Sequence, residues 1–159
     1  MPFPEFEKYI SGPFKFTFFL FKKLPAAWIC GIRLREIGPG HSIVSVPFKW
    51  LSQNPFNSIY FACQSMAAEM STGVLAMGHS FRPKRKVSML VTQVNGRFLK
   101  KATSKVYFTC NNGIEIQNAI NATLETGEAK TVVATSTGLN AMGEMISEFT
   151  IEWSFKAKL

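Results

Sequence analysis

Between Lys49 and Arg82 the chain carries one formally charged side chain, Glu69. The residues around it, from Phe61 to Gly73, are mostly apolar or small, and the apolar positions go nearly all the way round a helix. A helix without a polar face is typical of the centre of a domain, where other elements cover it on every side. The pattern therefore predicts a buried central helix at about residues 58–77, with a single carboxyl group inside.

A lone carboxyl group on a buried helix has a chemical consequence. Removal from water disfavours the ionised form and raises the pKa, which suits acid–base or nucleophilic work near neutral pH. Helical spacing places mostly small residues on the same side of the helix, namely Ala62, Ser65, Met66, Thr72, Gly73 and Ala76. We expect these residues to leave room for a ligand beside Glu69. The alternative is a glutamate that faces solvent or bridges a contact between subunits.

Several familiar kinds of site are excluded by composition. All ten acidic residues are glutamates and no aspartate occurs, so a Ser-His-Asp triad is excluded. The chain has no G-x-S-x-G, phosphate-loop or G-x-G-x-x-G motif. His41, His79 and the three cysteines lack the paired spacing of zinc ligands, so no metal site is expected.

The formal net charge of +8 predicts an anionic partner. Composition leaves three anions open: nucleic acid, a membrane surface, and a phosphorylated cofactor such as coenzyme A. No nucleic-acid recognition motif stands out, so nucleic acid is not expected. No apolar run reaches the roughly 18 residues that cross a bilayer, and the first residues lack the features of a secretory signal. We therefore expect a cytoplasmic protein.

The N-terminal region is predicted to form an amphipathic helix over residues 5–23. Between Phe14 and Lys23, five phenylalanines are interspersed with three lysines. This helix is expected to pack on the domain, or to contact a membrane surface through its basic and aromatic residues. We divide the chain into an N-terminal helical extension, 1–23, and one domain, 24–159.

The rest of the chain reads as strands around two helices. A second helix is predicted at about 112–126, with Asn112 and Glu115 as a capping box and Gly127 as its end. Asn95-Gly96 predicts a tight turn or a bulge. Strands are predicted from two-residue alternation and β-branched residues at 29–37, 42–50, 87–94, 97–110, 130–137 and 149–155. The order predicts an α+β fold.

The stretch from Asn54 through Ala62, followed by the helix with Ala67-Ala68-Glu69 and Gly73, resembles the central helix of hotdog-fold thioesterases. The segment from Arg97 to Ala102 is similar to a Phe-Leu-Lys-Pro-Ala stretch of those proteins. The nearest branch is the hotdog family known as domain of unknown function 4442, related to phenylacetyl-CoA and 4-hydroxybenzoyl-CoA thioesterase-like proteins. The resemblance implies a curved antiparallel sheet wrapped around the helix, and a homodimer or dimer of dimers with active sites at the interface.

The resemblance also implies residue roles. Glu69 would be the nucleophile or general base, and Asn54 would help to hold substrate or water. The backbone amide of Phe61, with that of Ala62, would polarise the thioester carbonyl, as free donors at a helix N-terminus do. Relatives often have glycines where this chain has Phe61-Ala62.

A thioesterase of this kind requires no cofactor, since coenzyme A arrives as part of the substrate. The candidate contacts for its phosphates are Arg82, Lys84, Arg85, Lys86, Arg97, Lys100 and Lys101. Their alternative is a solvated basic rim. Three functions stay open: an acyl-CoA or acyl-carrier thioesterase, a hotdog protein that binds acyl-thioesters or lipids without hydrolysis, and a basic module for nucleic acid or membranes. Another hotdog chemistry, such as dehydration, is disfavoured because the central helix region lacks a suitable histidine.

Overall fold

The computed structural model describes residues 3–12, 14–81 and 85–158. These residues form helices and strands in the proportions of an α+β domain. The helices are α1 (Phe3–Ile10), α2 (Lys15–Lys23), α3 (Pro25–Ile29), α4 (Phe61–His79) and α5 (Gly113–Thr126). The strands are β1 (Arg33–Ile37), β2 (Ser42–Val46), β3 (Val87–Phe98), β4 (Val106–Cys110), β5 (Lys130–Asn140) and β6 (Met145–Ala157).

The six strands of the described residues form one curved antiparallel sheet in the order β1-β2-β4-β5-β6-β3. Alternate residues of β4, β5 and β6 point inward, so Phe108, Phe149 and Ile151 lie fully buried under the sheet. This face packs on α4, and α5 covers another side of that helix. The sheet therefore positions α4 at the centre of the fold, as its sequence predicts.

The buried surface of α4 extends round the helix. Ala67, Ala68, Val74 and Leu75 are fully buried. Its polar residues find partners inside the fold: the hydroxyl oxygens of Ser71 and Ser136 lie 2.7 Å apart, which ties the helix to β5. The rotation of α4 about its axis is thereby set.

The central helix begins at Phe61 and not at about residue 58. The residues before it form a loop held by backbone bonds, in which the Ile59 amide donates to the Ala102 carbonyl and the Tyr60 amide to the Ser52 carbonyl. The backbone of Tyr60 is extended, with φ of −58° and ψ of 136°, so the helix begins at the next residue.

The N-terminal region forms two helices where one was predicted. Gly12, with φ of +129°, lies between α1 and α2 in a conformation that L side chains rarely adopt. Ser11 donates its amide to the carbonyl of Glu7, which ends α1. Both helices contribute buried aromatic residues to the core, Phe3 and Phe6 from α1 and Phe16 from α2.

Three predicted strands are corrected. The strand expected at 42–50 ends at Val46, and Trp50–Ser52 form a short 3₁₀ helix. The strand expected at 29–37 begins at Arg33, because Pro25–Ile29 form α3. The strand expected at 97–110 does not exist as one piece: β3 ends at Phe98, where the amides of Leu99 and Lys100 both donate to the Ile146 carbonyl.

The prediction of a tight turn or a bulge at Asn95-Gly96 is also wrong. Strand β3 continues through these residues, and its irregularity lies between Val91 and Gln93. A Cβ at Gly96 would come within 2.6 Å of the Phe149 ring, so glycine here serves the packing of that ring. Gly127 ends α5 with φ of +75°, as predicted.

The Asn112 capping box is not formed. The side chain of Asn112 makes no cap bond, and its Oδ1 instead accepts the amide of Thr135 in β5, at 2.9 Å. The asparagine thus joins the start of α5 to the sheet.

Strand β3 has an unpaired edge. It pairs with β6 on one side, and the described residues offer no strand on its other side. Leu90, Val94 and Phe98 are exposed along it. A strand of 12 residues with an open edge is a template for pairing with another chain.

Replacement of Gly113 by alanine should destabilise the fold. A Cβ there would overlap the backbone oxygen of Pro39 in the β1–β2 connection. We expect a loss of about 1–3 kcal/mol in the free energy of unfolding, measured by urea denaturation. The matched control is Gly40→Ala, whose Cβ meets nothing within 4 Å and whose effect should stay within about 0.5 kcal/mol. Equal losses for the two variants would contradict this packing.

Candidate active site

Glu69 lies in the middle of α4 and its side chain is half-buried. It borders a cavity of about 200 Å³ between α4 and the junction of α2 with α3. We call this space the Glu69 cavity. It is lined by Lys23, Leu24, Pro25, Ala26, Ala27, Met66, Glu69 and Met70. The carboxyl group therefore has an open space beside it and is neither packed solid nor fully in solvent.

The carboxyl group of Glu69 has no hydrogen-bond or ion-pair partner among the described residues. Burial raises its pKa to about 6, because removal from water disfavours the charged form. An unsupported carboxylate with this pKa changes protonation near neutral pH. It has the properties of a general base or a nucleophile.

Gly73 and Trp153 shape the surroundings of this carboxyl group. A Cβ at Gly73 would lie 3.2 Å from Glu69 Oε1 and 3.4 Å from the Trp153 ring, so glycine allows the close approach of both. The Trp153 Nε1–H donates to Thr72 Oγ1 at 2.8 Å. The Thr72 hydroxyl in turn donates to the backbone carbonyl oxygen of Glu69 at 2.8 Å. These bonds hold the indole ring against the turn of α4 that carries Glu69.

The N-terminus of α4 presents unused backbone donors. Within the described chain no acceptor is found for the amides of Phe61 and Ala62, and the side chain of Tyr60 does not cap the helix. The next two amides, of Cys63 and Gln64, both donate to the Tyr60 carbonyl. Two free donors at the positive end of a 19-residue helix favour an oxygen that carries negative charge.

Asn54 organises the loop before α4. Its Oδ1 accepts the amides of Phe56 and Ser58, at 3.0 and 3.1 Å, and the Ser58 hydroxyl at 3.2 Å. The side-chain oxygen is thus occupied by the loop, which leaves the amide nitrogen as the group that could meet substrate or water.

A second cavity, of about 510 Å³, lies at this end of α4. We call it the helix-end cavity. It brings together Asn54, Phe61, Lys100 and Lys101, and Glu69 is not part of it. Eight residues separate Phe61 from Glu69, which corresponds to about 12 Å along a helix axis. Glu69 and the α4 N-terminus of one chain therefore cannot both contact the same small group.

Gln64 also lines the helix-end cavity and did not figure in the sequence analysis. It is buried, its Nε2 donates to the Ile59 carbonyl at 3.2 Å, and its Oε1 accepts the Ser147 hydroxyl at 2.8 Å. These bonds fasten the first turn of α4 to the loop and to β6. Trp153 was likewise missed, although its alternation with polar residues in β6 marks it as inward-facing.

The basic candidates fall into two groups. Arg85 and Lys86 precede β3, whereas Arg97 lies near its end and Lys100 and Lys101 follow it. The two ends of β3 are about 35 Å apart at 3.4 Å per residue. Arg82 and Lys84 lie outside the described residues.

Two of the basic residues near the helix-end cavity already have partners. Lys100 pairs with Glu144 at 2.7 Å, and Lys101 reaches the Phe56 carbonyl at 3.4 Å. Both pairs are exposed, so an anion could displace them at little cost.

No cluster of three or more histidine, cysteine or glutamate side chains suited to a metal ion occurs in residues 3–12, 14–81 and 85–158. In the same ranges, no helix has the length and apolarity needed to span a bilayer.

The sequence model of one family, described as domain of unknown function (DUF4442), matches residues 12–155. The chain belongs to this family. The match covers α2 to β6 and therefore includes both cavities. No curated protein matches the chain.

Solved structures similar to this DUF4442 protein are hotdog-fold proteins. A protein of unknown function from Pseudomonas aeruginosa, described as a probable thioesterase, is 18% identical with a TM-score of 0.76, over 94% of this chain and 99% of that one. A protein of unknown function from Chlorobaculum tepidum is 12% identical with a TM-score of 0.78, over 99% and 97% of the chains. A thioesterase from Haemophilus influenzae is 12% identical with a TM-score of 0.65, over 92% of each. At these identities the likeness concerns the fold.

The raised pKa of Glu69 predicts a stability effect of Glu69→Gln. In the folded state the carboxyl binds its proton up to about pH 6, above the usual value of 4.5, so ionisation costs stability as pH rises through this window. Glutamine carries no such cost. The free energy of unfolding of Glu69→Gln relative to wild type should therefore be more favourable at pH 8 than at pH 5, in urea titrations.

The matched control for this measurement is Glu125→Gln, which alters an exposed glutamate of α5. It reports the change in pH dependence that follows from the loss of an exposed carboxyl group. If Glu69→Gln behaves in the same way, its carboxyl is solvated in the folded protein.

Proposed function

We propose that this DUF4442 protein hydrolyses an acyl-CoA or acyl-carrier thioester as a homodimer. The observation that carries the proposal is the half-buried, unpartnered Glu69 carboxyl beside the Glu69 cavity. The likeness in fold to proteins named as thioesterases supports it. The substrate, the catalytic residue and the dimer are parts of the proposal.

The dimer is supported by the open edge of β3. Two copies related by a twofold axis can pair their β3 strands antiparallel and continue the sheet. Such pairing sets the end of one β3 beside the start of the other. The helix-end cavity of one subunit would then approach the Glu69 cavity of its partner, and Arg97, Lys100 and Lys101 would approach the partner's Arg85 and Lys86.

This arrangement resolves the separation of about 12 Å within one α4. Each site would use Glu69 of one subunit and the α4 N-terminus of the other. The basic residues from both ends of two β3 strands would face the pyrophosphate and ribose phosphate of coenzyme A. No cofactor is needed beyond the coenzyme A of the substrate.

The reaction requires a base or nucleophile, a water molecule, and hydrogen-bond donors that stabilise the negative charge on the carbonyl oxygen. Ionised Glu69 either attacks the thioester carbonyl carbon or takes a proton from a water that attacks it. The carbonyl oxygen becomes an oxyanion that accepts hydrogen bonds from the amides of Phe61 and Ala62. The carbon–sulfur bond then breaks and the sulfur leaves with the electron pair. The thiolate takes its proton from Glu69 in the general-base route and from water in the nucleophilic route. In the nucleophilic route, water afterwards hydrolyses the acyl-glutamate anhydride.

Binding without hydrolysis is a second candidate function, and one observation favours it. The side chain of Phe61 lines the helix-end cavity and contacts Tyr60 and Phe98 edge to face, at ring distances of 4.8 and 6.5 Å. A bulky ring at this position narrows the approach of a thioester to the Phe61 amide. If the ring keeps the thioester carbonyl away from this amide, acyl-thioesters bind and no thiol is released.

Thiol release from a panel of acyl-CoA chain lengths separates the two candidates. Wild type should release thiol, with a rate that rises as pH passes through about 6, because the ionised carboxylate is the active form. Glu69→Gln should lose at least about 10²-fold in kcat, and Glu125→Gln should retain wild-type activity. Acyl-CoA binding without thiol release would support the binding function. Equal rates for wild type and Glu69→Gln would exclude Glu69 as the catalytic group.

The α4 amide can be tested by Phe61→Pro. Proline at the first helical position keeps the helix and removes one N–H, and the extended backbone of Tyr60 accepts a following proline. We expect a loss of about 10²- to 10³-fold in kcat. Phe61→Ala, which removes the ring and keeps the amide, is the control and should retain or increase activity.

Mixing the two defective variants tests whether the site is shared. In an equal mixture, half of the dimers contain one Glu69→Gln and one Phe61→Pro subunit, and one of their two shared sites has both groups intact. Activity should recover to about a quarter of wild type after subunit exchange. If each site belonged to one subunit, the mixture would stay inactive.

A further inference from the structure

Helices α2 and α3 present large apolar side chains to solvent. On α2, Phe16 and Leu20 are buried in the core, whereas Phe14, Phe18 and Phe21 are 82%, 58% and 53% exposed. Trp28 of α3 is partly exposed and contacts Phe21 edge to face, at 5.0 Å between ring centroids. We call the exposed set the aromatic ridge: Phe14, Phe18, Phe21, Leu24, Trp28 and Ile29.

Positive charge lies beside the aromatic ridge. Lys15, Lys22 and Lys23 are exposed and line a groove with Phe18, and Lys22 Nζ lies 4.9 Å from the centre of the Phe18 ring. From Lys8 to Arg35 the sequence contains no acidic residue. The surface therefore combines exposed aromatic rings with cationic side chains.

We propose that the aromatic ridge docks on the surface of an anionic lipid bilayer. Aromatic rings lie at the level of lipid headgroups, and lysine side chains extend their apolar stems along the surface while the ammonium groups meet lipid phosphates. Nine residues of α2 are too few to cross a bilayer, so the helix lies in the plane of the interface. A second copy of this chain is disfavoured as the occupant, because twofold contact would oppose lysines with lysines.

The aromatic ridge adjoins the Glu69 cavity. One wall of the Glu69 cavity is formed by Lys23 and Leu24, at the end of α2, together with the start of α3. Met66 and Met70 of α4 face this wall. Docking would hold this wall against the lipid. A further step, the acyl-chain step, rests on the proposed function. If that function is correct, the substrates are thioesters of acyl chains long enough to partition into the bilayer.

Co-sedimentation with vesicles tests the docking without reference to activity. Wild type should pellet with vesicles of phosphatidylcholine and phosphatidylserine, bind phosphatidylcholine vesicles weakly, and dissociate as salt is raised. The variant with Phe14→Ser, Phe18→Ser and Phe21→Ser should bind at least about tenfold more weakly. The variant with Lys15, Lys22 and Lys23 changed to glutamine should do the same.

Matched controls carry equal numbers of exposed changes elsewhere. They are Trp50→Ser, Ile114→Ser and Met142→Ser for the apolar side chains, and Lys105, Lys156 and Lys158 changed to glutamine for the charge. All variants should retain the wild-type circular dichroism, because none of the altered side chains is buried in the core. Docking is overturned if the phenylalanine variant binds as wild type does, or if wild type binds no anionic vesicle. A third result would also overturn docking: the phenylalanine variant alters the molar mass of the protein in solution and leaves vesicle binding unchanged. The aromatic ridge would then be a contact between copies of this chain.

The acyl-chain step has its own readout. Anionic vesicles should increase the hydrolysis of long-chain acyl-CoA by wild type and not by the phenylalanine variant, whereas short-chain hydrolysis should be equal for the two proteins. Vesicle binding without this difference would remove the acyl-chain step and leave docking in place. Absence of hydrolysis on every substrate, with vesicle binding intact, would count against the proposed function alone.

Discussion

The fold depends on the enclosure of α4. Its surface is apolar or small almost all the way round, so it is stable in water only when other elements cover it. The concave face of the sheet covers much of the helix, and the N-terminal helices and α5 cover further parts. Ala67, Ala68, Val74 and Leu75 are fully buried as a result. Glu69 is the one formal charge that this enclosure must accommodate.

The enclosure of α4 is incomplete at Glu69, where a cavity lies beside the carboxyl group. The α2–α3 junction lies across from α4 without filling the space between them, and a cavity of about 200 Å³ is left. Gly73 gives room for the carboxyl group, and Trp153 presents an apolar ring nearby. Burial without a compensating donor raises the pKa of Glu69 to about 6. The same lack of a partner that costs stability leaves the carboxylate available to a substrate.

Sequence reasoning predicted the elements whose physics is local. The all-round apolar pattern located α4, and alternation located the long strands β5 and β6. It failed where tertiary contacts decide: Asn112 bonds to β5 instead of capping α5, and Asn95-Gly96 continues β3 because the Phe149 ring packs on Gly96. The helix was expected to begin at about residue 58, but the backbone of Tyr60 is extended and the helix begins at Phe61.

The candidate site was predictable only where it depends on local sequence patterns. A lone carboxyl on a buried helix is visible in a sequence, and so are small residues at helical spacing beside it. The contributions of Trp153 and Gln64 depend on strands and loops far away along the chain, which periodicity cannot place. The separation of Glu69 from the α4 N-terminus follows from helix geometry, whereas the proposed sharing of each site between two chains depends on a pairing that periodicity does not specify.

A ¹³C NMR titration of the Glu69 side-chain carboxyl, assigned with Glu69→Gln, tests whether this group is buried and meets the substrate. It is run with and without a non-hydrolysable acyl-CoA thioether. We expect a midpoint near pH 6 in the unliganded protein, and a displaced resonance and midpoint when the thioether binds. A midpoint at the ordinary value of 4.5 for glutamate, unchanged by a bound thioether, would contradict this expectation.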